Sequence, residues 1–184
     1  MTTDLAGHGW TGLLRSYGAS EPTVTRLIES LTATEAAALA FCRLLDRWAR
    51  GEPEPSTAGL RQAALRRAAE RAETALAGLE QPLGRYLLEL EPDAAEGRSW
   101  YGEPGAGEVL EWEAVLRRAG VSLCPNRVAQ AYLELAVLVR ALEGLAASVR
   151  VDARLDRSSL WAGLFDLREN LYGSAVDELR ALAA

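Results

Sequence analysis

Apolar residues recur with helical spacing along almost the whole chain. Ser20 followed by Pro22 predicts a helix start, because serine can cap the first backbone N–H groups and proline suits an early helical position. Thr32 and Glu35 have the spacing of a capping box, which predicts that a further helix begins there and stops at Gly51. The middle of that helix is apolar on most sides, which favours a central, buried position. Its large apolar residues are Leu39, Phe41, Leu44, Leu45 and Trp48.

The next predicted helices are delimited by caps, proline and glycine. Ser56 or Thr57 caps an alanine-rich helix. Pro82 is expected to break that helix, because proline lacks the backbone N–H that the helix needs, so a short separate helix follows. Another helix begins near Val109 and closes at Gly120.

The second half of the chain has the clearest periodic pattern. Pro125 or Asn126 begins a helix in which three adjacent rows of apolar residues repeat every seven positions. Three rows are wider than the seam of a coiled coil, so they predict a core helix. A last helix is predicted from Ser158 or Ser159 to Leu179.

Three passages lack this regularity. Residues 91–107 are rich in proline and glycine, and a loop of that length in a compact domain is usually functional or mobile. Residues 149–156 alternate apolar and charged side chains like a strand, but without an evident partner strand we interpret them as an extended connection or a frayed helix. Residues 1–19 form a short first helix or a docked arm. We therefore predict an all-α, single-domain multi-helix bundle over residues 1–184.

Composition narrows the functional classes. The chain has 49% hydrophobic and 25% charged residues, which is typical of a soluble globular protein. Its net charge of −6 disfavours nucleic-acid binding, which depends on neutralising phosphates. The longest wholly apolar run, Ala36 to Cys42, is much shorter than the ~20 residues of a membrane span. Two cysteines and no signal-peptide pattern predict a cytoplasmic protein with no membrane partner.

Gly102 and Gly107 have the spacing of a phosphate-binding loop. The motif requires lysine after its second glycine, and this chain has Glu108 there. A carboxylate at the start of a helix occupies the place of an anion and repels phosphate. We therefore expect no nucleotide at this loop.

Catalytic and metal chemistry find little support. His8 is the only histidine, which excludes histidine-rich zinc sites and leaves no evident base for a serine or cysteine nucleophile. The pair Glu70 and Glu73 is interpreted as a solvated helix face. Cys42 is interpreted as inert core, and Cys124, which precedes a helix start, as a small packing or capping residue. We expect no catalytic residues, no metal, no cofactor and no enzymatic activity.

Negative charge is concentrated near the middle of the chain. Residues 89–113 contain eight acidic residues and one basic residue, Arg98, so their net charge is −7. Because the whole chain has a net charge of −6, the remaining residues have a net charge of +1. Trp100, Tyr101 and Trp112 lie among these acids. Such a segment suits a basic, partly apolar peptide, which it would attract by charge and hold by burial. A solvated loop whose aromatic residues pack into the core is the alternative.

Several short motifs, taken in order, resemble the TorD/NarJ family of redox-enzyme maturation chaperones. They are Arg85-Tyr-Leu-Leu88, Ser99-Trp-Tyr101, Glu108-Val-Leu110 with Arg118-Ala-Gly120, Pro125-Asn-Arg127 with Tyr132-Leu-Glu-Leu135, and Trp161, Phe165 and Leu171-Tyr172. Each motif alone is unspecific, and their order over residues 80–180 carries the resemblance. Asn126 and Arg127 stand where the family's most characteristic turn has aspartate and histidine.

The resemblance implies an all-helical cytoplasmic chaperone, a monomer or homodimer. Such proteins bind the apo-form catalytic subunit of a molybdenum enzyme, or its twin-arginine signal peptide, until the cofactor is inserted. The implied peptide-binding residues are Trp100, Tyr101, Glu103, Glu108, Glu111, Pro125, Asn126, Arg127 and Glu134. Among them, Glu103, Glu108 and Glu111 would face the arginines of the peptide. The alternatives are a helical scaffold or regulatory subunit of a stable complex and, third, a small enzyme that uses carboxylates.

Overall fold

The computed structural model describes residues 10–52, 54–90, 112–150, 157–171 and 175–184. Within these ranges every regular element is a helix, and none is a strand. The helices are α1 (Trp10–Ser16), α2 (Glu21–Ala49), α3 (Ala58–Leu90), α4 (Trp112–Ala119), α5 (Pro125–Arg150), α6 (Arg157–Asn170) and α7 (Val176–Ala183). The prediction of an all-α, single-domain multi-helix fold is confirmed. Residues 91–107 and residues 151–156 of the strand-like passage lie outside the described residues, and residues 149 and 150 belong to α5.

The two longest helices, α2 and α3, form the centre of the bundle. They pack along each other, and α2 also contacts α1, α4 and α5, while α3 contacts α6 and α7. All the large buried apolar side chains join one core cluster. Phe41, Leu45 and Trp48 of α2 are each at most 1% exposed, which confirms the predicted central position of this stretch.

The predicted helix start at Thr32–Glu35 is wrong, because α2 runs unbroken for 29 residues. The Thr32 hydroxyl donates a 2.8 Å hydrogen bond to the Ile28 carbonyl oxygen, and the Thr34 hydroxyl donates one of 2.8 Å to the Ser30 carbonyl oxygen. Both hydroxyls therefore bond back to the preceding turn instead of capping a new one.

The predicted break at Pro82 is also wrong, since Pro82 lies inside the 33 residues of α3. Proline inside a helix costs about 3 kcal/mol. Large side chains on both sides of it, Leu76 and Leu79 before and Leu83 and Tyr86 after, are fully buried in the core. Their burial is worth roughly 1.5–3 kcal/mol per side chain, which outweighs the local cost of the proline.

Other local signals are confirmed. The Thr57 hydroxyl accepts the backbone N–H of Leu60 at 3.4 Å, so Thr57 caps α3. Helix α5 begins at Pro125 as predicted. Gly120 ends α4 in the left-handed region at φ +69°, where a Cβ atom would lie 2.7 Å from the Cβ of Ala58.

The single helix predicted at the C-terminal end is divided into α6 and α7. Leu171 and Ala175, on either side of the undescribed residues 172–174, have the wider hydrogen-bonding pattern of a π-helix. Separately, none of the helices in the described ranges is both long and apolar enough to cross a lipid bilayer.

Candidate functional site

The nine residues predicted to bind a peptide fall into two groups. Five lie outside the described residues and stay predictions: Trp100, Tyr101, Glu103, Glu108 and Glu111. The other four, Pro125, Asn126, Arg127 and Glu134, lie on α5. Residues 91–111, here called the acidic segment, are flanked by the end of α3 at Leu90 and the start of α4 at Trp112.

Helix α3 ends at Leu90, directly before the acidic segment, and α6 holds this end of α3 in place. The Arg157 Nε donates a 2.8 Å hydrogen bond to the Leu90 carbonyl oxygen, and the Trp161 Nε1 donates one of 3.2 Å to the Leu87 carbonyl oxygen. These bonds satisfy acceptors that the last turn of a helix leaves open. The Trp161 ring stacks on Phe165, with ring centres 4.9 Å apart and planes 9° from parallel.

Glu89, in the last turn of α3, closes the N-terminus of α2. Its carboxylate accepts the backbone N–H of Ser20 at 2.8 Å, the Thr23 hydroxyl at 2.7 Å and the Arg85 Nε at 3.3 Å. The Ser20 side chain makes no capping bond to the helix that follows it. The bond from the Ser20 backbone, and then that from Thr23, lower the pKa of Glu89 to about 2. The predicted serine cap is thus replaced by a carboxylate from another helix.

Trp112, the first residue after the acidic segment, is buried where α2, α4 and α5 meet. Its ring lies against Tyr132, with centres 5.0 Å apart and a tilt of 54°. The Tyr132 hydroxyl donates a 2.7 Å hydrogen bond to Asp46 Oδ1. Burial, with a smaller contribution from Asp46, raises the pKa of the neighbouring Cys42 thiol to about 12, which confirms that Cys42 is an inert core residue.

The residues on either side of the acidic segment, Glu89 and Leu90 before it and Trp112 after it, are here called its anchors, and they lie at different levels of the bundle. Glu89 and Leu90 are beside Ser20, at the start of α2, whereas the Trp112 anchor is beside Cys42 and Asp46, near its end. Between Ser20 and Cys42 the axis of α2 advances about 33 Å, at 1.5 Å per residue. The acidic segment therefore connects two fixed points that are far apart along α2.

Two of the four described α5 residues, Arg127 and Glu134, lie on another side of that helix from Tyr132. Arg127 Nη1 pairs with Glu178 Oε2 of α7 at 3.2 Å. Gln130 donates a 2.6 Å hydrogen bond to Glu134, whose pKa is raised mainly by burial. At 100° per residue, Arg127 and Glu134 lie roughly opposite Tyr132 around α5. The α7-facing residues and the Trp112 anchor therefore do not form one cluster.

Glu35 was predicted only as part of a helix start, and its burial in the core was not predicted. Glu35 is buried, with 7% exposure, and its Oε1 atom has no hydrogen-bond partner. Its pKa is raised first by burial and then by repulsion from Glu143 of α5. Its spacing, one heptad before buried Cys42, was the available signal, since such residues share one face of a helix.

The described residues contain no group of three or more histidine, cysteine or acidic side chains that could hold a metal ion. Cys124 is exposed, so the predicted packing role is wrong. It directly precedes α5, and its backbone carbonyl oxygen accepts the Val128 N–H at 3.2 Å. The described side chains thus offer charged and aromatic groups for binding.

No protein-family model matches the chain, and no curated protein and no solved structure is significantly similar to it.

Proposed function

We propose that the protein is a chaperone that binds the apo-form catalytic subunit of a molybdenum enzyme, or its twin-arginine signal peptide, until the cofactor has been inserted. The observation that carries this proposal is the charge of −7 in residues 89–113. A twin-arginine signal peptide carries two guanidinium groups and an apolar stretch, which an acidic segment with interleaved tryptophan and tyrosine complements in both respects. The order of the family-like motifs over residues 80–180 supports the same choice.

The fixed ends of the acidic segment also favour a binding role. Arg157 and Trp161 hold the end of α3, and Tyr132 holds Trp112. A segment whose ends are already positioned loses less conformational freedom when a partner binds, which increases affinity. The helical body would thus serve as the frame on which the acidic segment meets its client.

The first test is direct binding of a synthetic peptide with two adjacent arginines followed by an apolar stretch, measured by fluorescence anisotropy between low and high salt. We expect affinity to fall as salt rises, because exposed charges are screened. Replacing Glu103, Glu108 and Glu111 together by glutamine should weaken binding and flatten this salt dependence. A matched control replaces three exposed acids elsewhere, Glu29, Glu70 and Glu80, by glutamine.

Equal affinity and equal salt dependence in the two triple variants would show that the acidic segment is not the binding site. The second test is a mild pulldown from cells, followed by mass spectrometry. A molybdenum-enzyme precursor lacking its cofactor is the expected partner.

A helical scaffold within a stable complex is the second candidate, and exposed apolar side chains favour it. Leu88 is 75% exposed, and Leu60 and Leu133 are each 50% exposed. A permanent partner would bury such side chains. Recovery of a mature complex that keeps its composition at high salt would support the scaffold over the chaperone.

A further inference from the structure

The most unusual buried group in the described part of the chain is the Glu35 carboxyl. It is only 7% exposed, and its Oε1 atom has no hydrogen-bond partner. A buried carboxyl without a partner destabilises the fold, whereas an apolar side chain in its place would not. Glu35 therefore occupies a position where packing alone favours a different residue.

A second carboxylate lies across the contact between α2 and α5. The Tyr132 hydroxyl of α5 donates a hydrogen bond to Asp46 of α2. Helix α5 runs antiparallel to α2, because Arg118, shortly before α5 begins, donates a hydrogen bond to the Trp48 carbonyl oxygen at the end of α2. Glu35 and Glu143 each lie eleven residues, close to three helical turns, from the Asp46–Tyr132 pair, so they lie opposite each other across the same contact, where their charges repel. Glu143 is exposed and Glu35 is buried, so the pair has a carboxylate at the solvent side and one at the inner side of the same contact.

We propose that Glu35 and Glu143 together bind the guanidinium group of an arginine carried by a polypeptide partner. This inference rests on the proposed function, in which the partner is a polypeptide. A cation between the two carboxylates would replace their repulsion by attraction and would supply donors to the unpartnered oxygen of Glu35.

Arginine fits this site better than other cations. Its planar guanidinium has five donors, which can reach two carboxylates at once, and it sheds water more readily than the ammonium group of lysine. A divalent metal ion would need further ligands, and the described residues include no group of three metal-binding side chains. Entry requires the Glu35 side chain to turn outward, toward Glu143, a movement that relieves the burial of its charge.

The test compares two peptides that differ only in charge: one with two adjacent arginines before an apolar stretch, and one with both arginines replaced by citrulline, the neutral isostere. Binding is measured to the wild-type protein, to Glu35→Gln and to Glu143→Gln. The control variant is Glu29→Gln, which removes an exposed acid on another face of α2. Glu143 is exposed, so its variant tests the site without disturbing the core.

We expect Glu35→Gln and Glu143→Gln each to weaken binding of the arginine peptide by about tenfold or more, because each variant removes one of the two carboxylates that hold the guanidinium group. The citrulline peptide should bind all four proteins equally, and Glu29→Gln should behave as wild type. The inference would be overturned if the variants bound both peptides equally more weakly, or if neither variant lost affinity for the arginine peptide. Either result would leave the proposed chaperone function in place. If the wild-type protein binds neither peptide, the proposed function fails and the inference fails with it.

Discussion

The Tyr86 hydroxyl donates a 3.0 Å hydrogen bond to the backbone carbonyl oxygen of Leu14, and both residues are completely buried. This bond attaches α1 to the inner face of α3, about one and a half helical turns before the acidic segment begins. Tyr86 belongs to the Arg85–Leu88 motif of the family resemblance, so the structure gives that tyrosine a role in packing.

Replacing Tyr86 by phenylalanine should lower the free energy of unfolding by about 1–3 kcal/mol, because the buried Leu14 carbonyl loses its donor. Urea unfolding followed by circular dichroism measures the change. Only one oxygen atom is removed, so the core volume is nearly unchanged. A variant as stable as wild type would mean that water replaces the lost hydroxyl.

Replacing Glu89 by glutamine should reduce stability in a pH-dependent manner. The pKa of Glu89 is lowered to about 2 from an ordinary value of 4.5, so its contribution is present above pH 4.5 and is lost as the pH falls toward 2. At pH 7 we expect a loss of about 1–2 kcal/mol, reduced by solvent screening at this partly exposed site.

The same unfolding experiment at a series of pH values checks this, with the exposed Glu80 of the same helix replaced by glutamine as the control. The difference between wild type and the Glu89 variant should vanish near pH 2. A difference that persists at full size there would show that the carboxylate charge is not its source.

Replacing Glu35 by glutamine should have the opposite effect. Burial raises the pKa of Glu35, so the contribution of this group to stability is most favourable below pH 4.5 and is lost as the pH rises through the raised value. Glutamine cannot ionise, so the variant should be the more stable protein at neutral pH and should lose this advantage below pH 4.5. Thermal unfolding at pH 4 and pH 8 gives the comparison, with Glu29→Gln as control. A destabilised variant at pH 8 would assign Glu35 a structural role and would count against the guanidinium site.

Replacing Gly120 by alanine should destabilise the fold for two reasons. The backbone is in the left-handed region, and the new Cβ would lie 2.7 Å from the Cβ of Ala58. Gly51 has a similar φ of +87° with open space around it, so Gly51→Ala measures the backbone strain alone, about 1–2 kcal/mol. We expect Gly120→Ala to cost more, by about 1 kcal/mol or more.

A double variant, Gly120→Ala with Ala58→Gly, isolates the contact. Without the Ala58 Cβ, Gly120→Ala should lower the free energy of unfolding only as much as Gly51→Ala does. The effect of Ala58→Gly alone is measured separately and subtracted. If the double variant recovers nothing, the loss comes from the backbone conformation alone.

Local signals in the sequence predicted much of this fold. Thr57, Pro125 and Gly120 mark the ends of helices through their own hydrogen bonds or backbone conformations, and such effects depend on a few neighbouring residues. The helix break at Pro82 was predicted wrongly because burial of residues far apart in sequence outweighed the local preference. Thr32 was interpreted wrongly because a threonine hydroxyl can bond backward along a helix as well as cap one.

The candidate site was less predictable. Glu89 accepts a hydrogen bond from Ser20, 69 residues earlier in the chain. Glu35 is repelled by the carboxylate of Glu143 in α5, more than 100 residues later. No local pattern contains such pairings, because they exist only once the helices have packed. The interpretation of Cys42 as a core residue is confirmed, because burial is the main cause of its raised pKa.

The hydrogen bond that the Ser20 amide donates to the Glu89 carboxylate can be followed by hydrogen–deuterium exchange. An amide proton held by a single long-range bond exchanges with deuterium when that bond opens, so its exchange rate measures how often the end of α3 separates from the start of α2. Because the acidic segment begins two residues after Glu89, a client that pulls on that segment should change the deuterium uptake of Ser20 before it affects the interior of either helix.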